Sequence, residues 1–173
     1  YEQMKLSVPM SITLGLSGQP FNGPDIGGFA GNTTPDLWGN WLGFGAFFPF
    51  SRGHASCDTN NKEPWAFGKD LEKESRIALE RRYRLLPYLY TAFYTAHTDG
   101  QPVMAPVFFA DLKDQRLRAE EQAFMLGTNI LVVPAFAKNP ALPTGIWEDL
   151  SLVKGDTKGK YQAKLKVRGG AII

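Results

Sequence analysis

Along residues 2–17 the apolar side chains Met4, Val8, Ile12 and Leu16 stand four apart, a spacing that predicts a helix ending at Gly18. Pro9 falls inside it, so the helix is expected to bend there or to begin later. The run Gln19 to Pro24 reads as a buried strand, and the glycines at 23, 27, 28 and 31 mark the adjoining stretch as a loop able to take positive φ or approach a ligand closely. Between Thr34 and Phe50 the aromatics Trp38, Trp41, Phe44, Phe47, Phe48 and Phe50 recur at roughly helical spacing and read as core rather than as a sugar-stacking platform. Leu79, Tyr83, Leu86, Tyr90 and Phe93 then predict one long amphipathic helix over residues 71–98, capped by Asp70, ended by Gly100 and kinked at Pro87. The arginines at 76, 81, 82 and 84 read as its solvated or ion-paired face.

The texture changes after that helix. Pro102 to Ala110 is a continuous apolar run, expected as a strand buried on both faces of a parallel sheet. A short helical stretch over 117–126 leads to the strand-like Asn129 to Pro134, and turn residues then separate short strand-like runs as far as Ile173. The order is that of βα repeats followed by an all-β segment, with no internal repeat and no low-complexity linker. Since the chain opens inside an apparent helix and stops inside an apparent strand, it is expected to be a segment of a longer polypeptide.

Composition narrows the chemistry. With 173 residues and 43% hydrophobic content the chain is of globular type, and a net charge of +2 gives no footing to a nucleic-acid or acidic-lipid partner. No apolar run approaches the roughly 20 residues of a membrane span, and the first residues lack the layout of a secretory signal. The lone Cys57 excludes an internal disulfide and leaves the compartment open. Only two histidines are available to serve a nucleophile, and His97, in the last helical turn, reads as structural. His54, in the polar loop after the aromatic block, is the functional candidate. Grouping His54 with Cys57, Asp58 and Glu63 fits no zinc or calcium spacing, so no metal is expected, and the glycine loop matches no nucleotide fingerprint. Sugar chemistry remains: it uses carboxylates, neutral hydrogen-bonding groups and flat aromatic faces, as Asp25, His54 and Phe29 provide. Asp25, at the exit of a buried strand, is placed like a pocket residue of an α/β barrel, although it could equally cap a tight turn.

Six ordered blocks resemble family 31 of the glycoside hydrolases, the retaining α-glucosidases and their relatives. They are Leu-Gly-Leu-Ser-Gly18, Gly23-Pro-Asp-Ile-Gly-Gly-Phe29, Gly45-Ala-Phe-Phe-Pro-Phe-Ser-Arg-Gly-His54, Glu63-Pro-Trp-Ala-Phe-Gly68, Arg82-Tyr-Arg-Leu-Leu-Pro-Tyr-Leu-Tyr-Thr91 and Val167-Arg-Gly-Gly-Ala-Ile-Ile173. The resemblance implies that residues 1–112 are the last part of a TIM (β/α)₈ barrel, with strands seven and eight, and that 113–173 begin a β-sandwich domain. It implies further that Asp25 lines the subsite for the non-reducing glucose, that Phe29 walls it and that His54 hydrogen-bonds a sugar hydroxyl.

In such enzymes one carboxylate attacks the anomeric carbon while a second protonates the leaving oxygen and then activates water. By the same resemblance both lie upstream of this chain, at the ends of strands four and six, so no residue here is assigned a catalytic role and the segment alone is expected to be inactive. The implied activity is exo-α-glucosidase action on α-linked gluco-oligosaccharides without metal or organic cofactor, with the remainder of the barrel as partner. Related α-xylosidases, transglycosylases and α-glucan lyases stay open, as does a non-catalytic carbohydrate-binding or scaffold member. Relatives often carry arginine where Ala105 stands, and a basic residue and a glutamine at Asn40 and Gly43.

Overall fold

The computed structural model describes residues 1–173 as four helices followed by a five-stranded antiparallel sheet. Helix α1 spans Glu2–Leu16 and runs through Pro9, burying Met4, Ser7, Val8, Ser11, Ile12 and Gly15, while Leu16 is exposed. Two serines interleave with the aliphatics on that face, and Ser7 Oγ satisfies itself on the Met4 carbonyl at 2.6 Å. Thr34 caps α2 (Pro35–Gly45) by accepting from Leu37 N at 3.2 Å, with Pro35 at the first helical position. Trp38, Trp41, Phe44, Phe47 and Phe48 are buried in the main core, as the aromatic spacing predicts, and Phe50 is half-buried.

The strand expected at Gln19 to Pro24 does not form. The segment is irregular and meets residues 50–52 through Phe50 N to Asn22 O (3.0 Å), Ile26 N to Arg52 O (3.0 Å) and a single parallel bridge, Asp25 to Arg52. These contacts amount to a single bridge and two backbone bonds, too few for a regular ladder. Contact there is close: a Cβ on Gly23 would lie 1.9 Å from the Phe50 carbonyl oxygen.

The long helix over 71–98 is two helices, α3 (Lys69–Arg84) and α4 (Leu86–Asp99), separated at Leu85. Pro87 begins α4 instead of kinking a continuous helix, because in a first turn its missing N–H removes no bond. Gly68, at φ 90°, occupies the N-cap position expected for Asp70, whereas Gly100 ends α4 in the left-handed region as expected. The buried stripe is also shifted. Leu71, Ser75, Ala78, Arg81, Leu85 and Leu89 face inward, and Tyr83 and Tyr90 are exposed. Polar Ser75 and Arg81 on the inner face, with tyrosines on the outer, conceal the true phase of the periodicity.

Residues 102–110 are a second correction. Only Met104–Ala105 form a strand, β1, which pairs antiparallel with β2 (Phe124–Leu126), and Val107–Ala110 wind into a 3₁₀ turn. The helical stretch expected over 117–126 is a 3₁₀ turn at Gln115–Ala119 that runs out before β2. Asp114 opens this turn and Glu120 closes it by accepting from Gln122 N and Ala123 N at 2.7 and 3.0 Å. Strands β3 (Ile130–Val133), β4 (Trp147–Asp149) and β5 (Lys164–Arg168) complete the order β1-β2-β3-β5-β4. Alternation along these strands divides the core. Phe124, Leu126, Ile130, Val132 and Leu165 join the helices, and Met125, Leu131 and Val133 pack on the other face against Val107 and Leu117.

Helices and sheet are joined by the loop over residues 151–163. Arg81 and Asp156 are both buried there, Arg81 donating to the Ala163 carbonyl at 2.8 Å and to Gln162 Oε1 at 3.3 Å, with its guanidinium 5.0 Å from the Phe47 ring centroid. Arg81 Nε stands 3.4 Å from Asp156 Oδ2 as an ion pair without a formed hydrogen bond. Burial lowers the Arg81 pKa to about 10, Asp156 opposing that shift. Burial pushes Asp156 upward, but hydrogen bonds from Leu152 N, Ser151 and Val153 N, with the charge of Arg81, leave it below the usual carboxylate range. Arg82 is also withdrawn from solvent, so of the four arginines expected on a solvated or ion-paired face Arg76 and Arg84 are exposed, Arg81 is ion-paired but buried, and Arg82 donates to backbone carbonyls. At the rim, Asp36 accepts from Lys160 Nζ (2.8 Å), from the Tyr161 hydroxyl (2.9 Å) and from the Tyr1 hydroxyl.

Arg81→Met should cost about 3–5 kcal/mol in urea unfolding, because it leaves Asp156 as an unpaired buried charge. Asp36 is held at about 2 by the hydrogen bonds from Lys160, Tyr1 and Tyr161. A depressed carboxylate stabilises the fold above its unfolded value and loses that contribution as pH falls through the folded one. Thermal midpoints should therefore drop from about pH 4 towards about 2, and Lys160→Met should flatten the slope in that window.

Candidate functional site

Two loops meet at the exit of the paired segments. The first, residues 26–34, begins in a turn closed by Gly28 N to Asp25 O at 2.9 Å, with Gly27 and Gly28 at φ 84° and 88°. The second, residues 53–62, is laced to it by Ser56 N to Phe29 O (2.9 Å), Asn60 N to Asn32 Oδ1 (2.7 Å) and Asn60 Nδ2 to Thr33 O (3.2 Å). Such lacing fixes one loop against the other, so the side chains they carry hold a defined mutual geometry.

Asp25 accepts from Arg52 Nε at 2.9 Å through Oδ1, and Oδ2 has no hydrogen-bond partner. Its side chain is 20% exposed, within reach of a ligand yet mostly shielded. The Arg52 guanidinium lies 5.3 Å from the Phe50 ring centroid, so that cation is held from two directions. Phe29 is exposed, and its ring centroid stands 5.4 Å from that of His54 with the planes tilted by 36°.

A cavity of about 460 Å³ is lined by Asp25, Gly28, Phe29, Trp41, Phe50 and, from α1, Ser7, Met10, Ser11 and Leu14 among others. Trp41 contributes an indole N–H without an acceptor. Asp25, Gly28 and Phe29 form one rim of the cavity. His54 does not line this cavity and joins the rim through Phe29. A second cavity of about 440 Å³ lies behind, lined by Trp38, Arg52, Ser56 and Lys62 among others.

The three residues expected at the site are thus neighbours, carried by two loops. Three more were missed. Arg52 directs Asp25, and its place two residues before His54 in the same sequence block was the available signal. Trp41 was read as core alone, and Lys62, a buried lysine donating to the Gly28 carbonyl, gives no sequence signal because lysines in polar loops are ordinarily exposed. Of the departures, Ala105 is buried in β1 within the smaller core, so the absent arginine is missing from the sheet and not from a barrel end. Gly43 admits no side chain here, since a Cβ would lie 1.8 Å from the Tyr161 carbonyl oxygen. Asn40 donates to the Asp36 carbonyl at 2.8 Å.

Comparison with known proteins places this geometry. The Glycosyl hydrolases family 31 TIM-barrel domain matches residues 1–92 and the Glycosyl hydrolase family 31 C-terminal domain matches residues 100–173. A family 31 α-glucosidase structure from Bacteroides thetaiotaomicron is 64% identical at a TM-score of 0.92, over 99% of this chain and 29% of that one. A dextranase of the same family from Flavobacterium johnsoniae, solved with isomaltotriose, is 30% identical at a TM-score of 0.88, over 99% of this chain and 23% of that one. A probable glucan 1,3-α-glucosidase of Arabidopsis thaliana is 44% identical over 138 residues, 80% of this chain and 15% of that protein. The chain therefore spans less than a third of the length of these relatives, and the fold is the end of a TIM barrel followed by a β domain. This chain belongs to glycoside hydrolase family 31.

Proposed function

We propose that this chain supplies one wall of the glucose subsite of a retaining exo-α-glucosidase, which releases terminal non-reducing α-linked glucose from oligosaccharides by double displacement. The observation that carries the reading is that Asp25 and Phe29 line one cavity while the His54 ring stands beside Phe29 on the second, laced loop, with one carboxylate oxygen of Asp25 unengaged. A carboxylate oriented by a guanidinium is a fixed acceptor for sugar hydroxyls, an aromatic edge excludes water beside the ring, and an imidazole can donate or accept. The α-glucosidase relatives in bacteria and plants support the same substrate class.

The nucleophile and the acid/base carboxylate come from the remainder of the barrel in this reading, which requires no metal or organic cofactor and leaves the isolated segment inactive. We place the boundary between barrel and β domain at the end of α4 instead of at residue 112, because β1 already hydrogen-bonds to β2 and the two family matches part between residues 92 and 100.

In the full-length enzyme, Asp25→Asn and His54→Ala should each lower kcat/KM on maltose by about 10- to 100-fold, the range set by one or two lost ligand hydrogen bonds, and Phe29→Ala should lower it by about tenfold through lost apolar contact with the sugar. Unaltered kinetics in all three correctly folded variants would remove these residues from the pocket. Preferential cleavage of an aryl α-xyloside over maltose would transfer the site to a xylosidase.

A further inference from the structure

Lys62 is a lysine in a polar loop, yet it is only 8% exposed. Its stem runs beneath the Gly27–Gly28 turn, where a Cβ on Gly27 would meet Trp38 Cε3 at 2.9 Å and Lys62 Cδ at 3.5 Å. Its ammonium donates to the Gly28 carbonyl, the acceptor immediately before Phe29. Burial lowers the Lys62 pKa, and the charge of Asp25 opposes that shift. Withdrawing an ammonium from water is costly unless it is paired or bonded, so a lysine kept there must be compensated by the carbonyl and the carboxylate in front of it.

We infer that Lys62 is a positioning residue of the sugar subsite, fixing the Gly27–Gly28 turn from behind through the Gly28 carbonyl and thereby setting Phe29 against His54. The inference rests on the functional reading above, because it assigns Lys62 an effect on substrate only through Phe29 and its loop. Backbone bonds hold the turn at its ends, Gly28 N to Asp25 O and Ser56 N to Phe29 O at 2.9 Å, and Lys62 is the side chain that bonds the Gly28 carbonyl between them. Both glycines adopt positive φ, and neither contributes a side chain to packing. On the sugar side the loop is open, with Phe29 and Ala30 exposed, so its register depends on what lies beneath. Lys62 also lines the second cavity, so removing its stem would enlarge the empty space beneath the turn.

The consequence is confined to substrate binding. If the Gly28 carbonyl is released, Phe29 loses its position, whereas the reacting carboxylates, supplied from outside this segment in our reading, do not move. The loss should therefore fall on KM and not on kcat.

The test uses the full-length enzyme with Lys62→Met, which keeps the stem and removes the donor, and Lys62→Gln, whose amide can reach the same carbonyl. Lys62→Met should raise KM for maltose, and the inhibition constant of glucose, about tenfold with kcat within about twofold of the parent, as expected when positioning for the bound sugar is lost. Lys62→Gln should recover most of that loss. Should the methionine variant not fold, Lys62→Ser, which leaves room for water at the carbonyl, carries the same expectation. Unchanged KM in a folded methionine or serine variant, or a loss confined to kcat or to the thermal midpoint, would overturn the inference and leave the pocket assignment standing. Unchanged kinetics in Asp25→Asn, Phe29→Ala and His54→Ala would overturn the pocket assignment itself, and Lys62 with it.

Discussion

Two adjacent arginines on α3 hold the molecule in register. Arg82 donates to three carbonyls in succession, Ala46 and Phe48 at 2.6 and 2.7 Å and Pro49 at 3.0 Å, where α2 has ended and the chain straightens towards Arg52. Carbonyls at a buried helix end cannot be left without donors, and a guanidinium is the one side chain able to serve three of them from a fixed plane. Burial lowers the Arg82 pKa, yet a guanidinium stays protonated at any physiological pH, so this fixture does not titrate away. Arg81, one residue back, turns towards the β domain and fastens the 151–163 loop. One turn of helix thus sets both the path into the sugar-facing loops and the seating of the sheet.

What that register protects is closeness. At Gly23 and Gly43 the backbone comes so near to Phe50 and Tyr161 that no Cβ fits. The first contact brings Asp25 beside Arg52, and the second seats the 151–163 loop on α2. Displacement by the width of one methyl group at either place would separate groups whose function depends on hydrogen-bond distance. The two glycines thus fix the two closest backbone approaches at the site and at the domain junction.

The helices were legible where a regular stripe coincided with burial, as in α1 and α2, and misread where polar residues stand on the inner face. On α3 the buried Ser75 and Arg81 broke the stripe, and the exposed Tyr83 and Tyr90 supplied a false one. Two strand assignments failed for a different reason, whereas the run Asn129 to Pro134 does hold β3. Gln19 to Pro24 and Pro102 to Ala110 have strand-like composition, but pairing depends on partners distant in sequence, and Pro106 stops the second run after two paired residues. Asp25, Phe29 and His54 were legible as candidates because they lie in dense local motifs. Arg52 and Lys62 act through spatial contacts that no periodicity encodes.

The contacts that orient the groups we propose to bind sugar all lie within this segment: Arg52 on Asp25, Ser56 N on the Phe29 carbonyl, Lys62 on the Gly28 carbonyl and the Phe29–His54 ring pair. None of them requires the carboxylates that our reading assigns to the chemistry. Recognition and bond cleavage are then built from separate stretches of chain that meet at the barrel mouth, and each can change with little strain on the other. Barrels permit this because strand ends are held by the hydrogen-bonded wall while the loops beyond them are free to differ. A family with one mechanism and several sugars is the natural result of that division: substitutions in laced loops such as these reshape the pocket, and the reacting atoms stay where the strands put them.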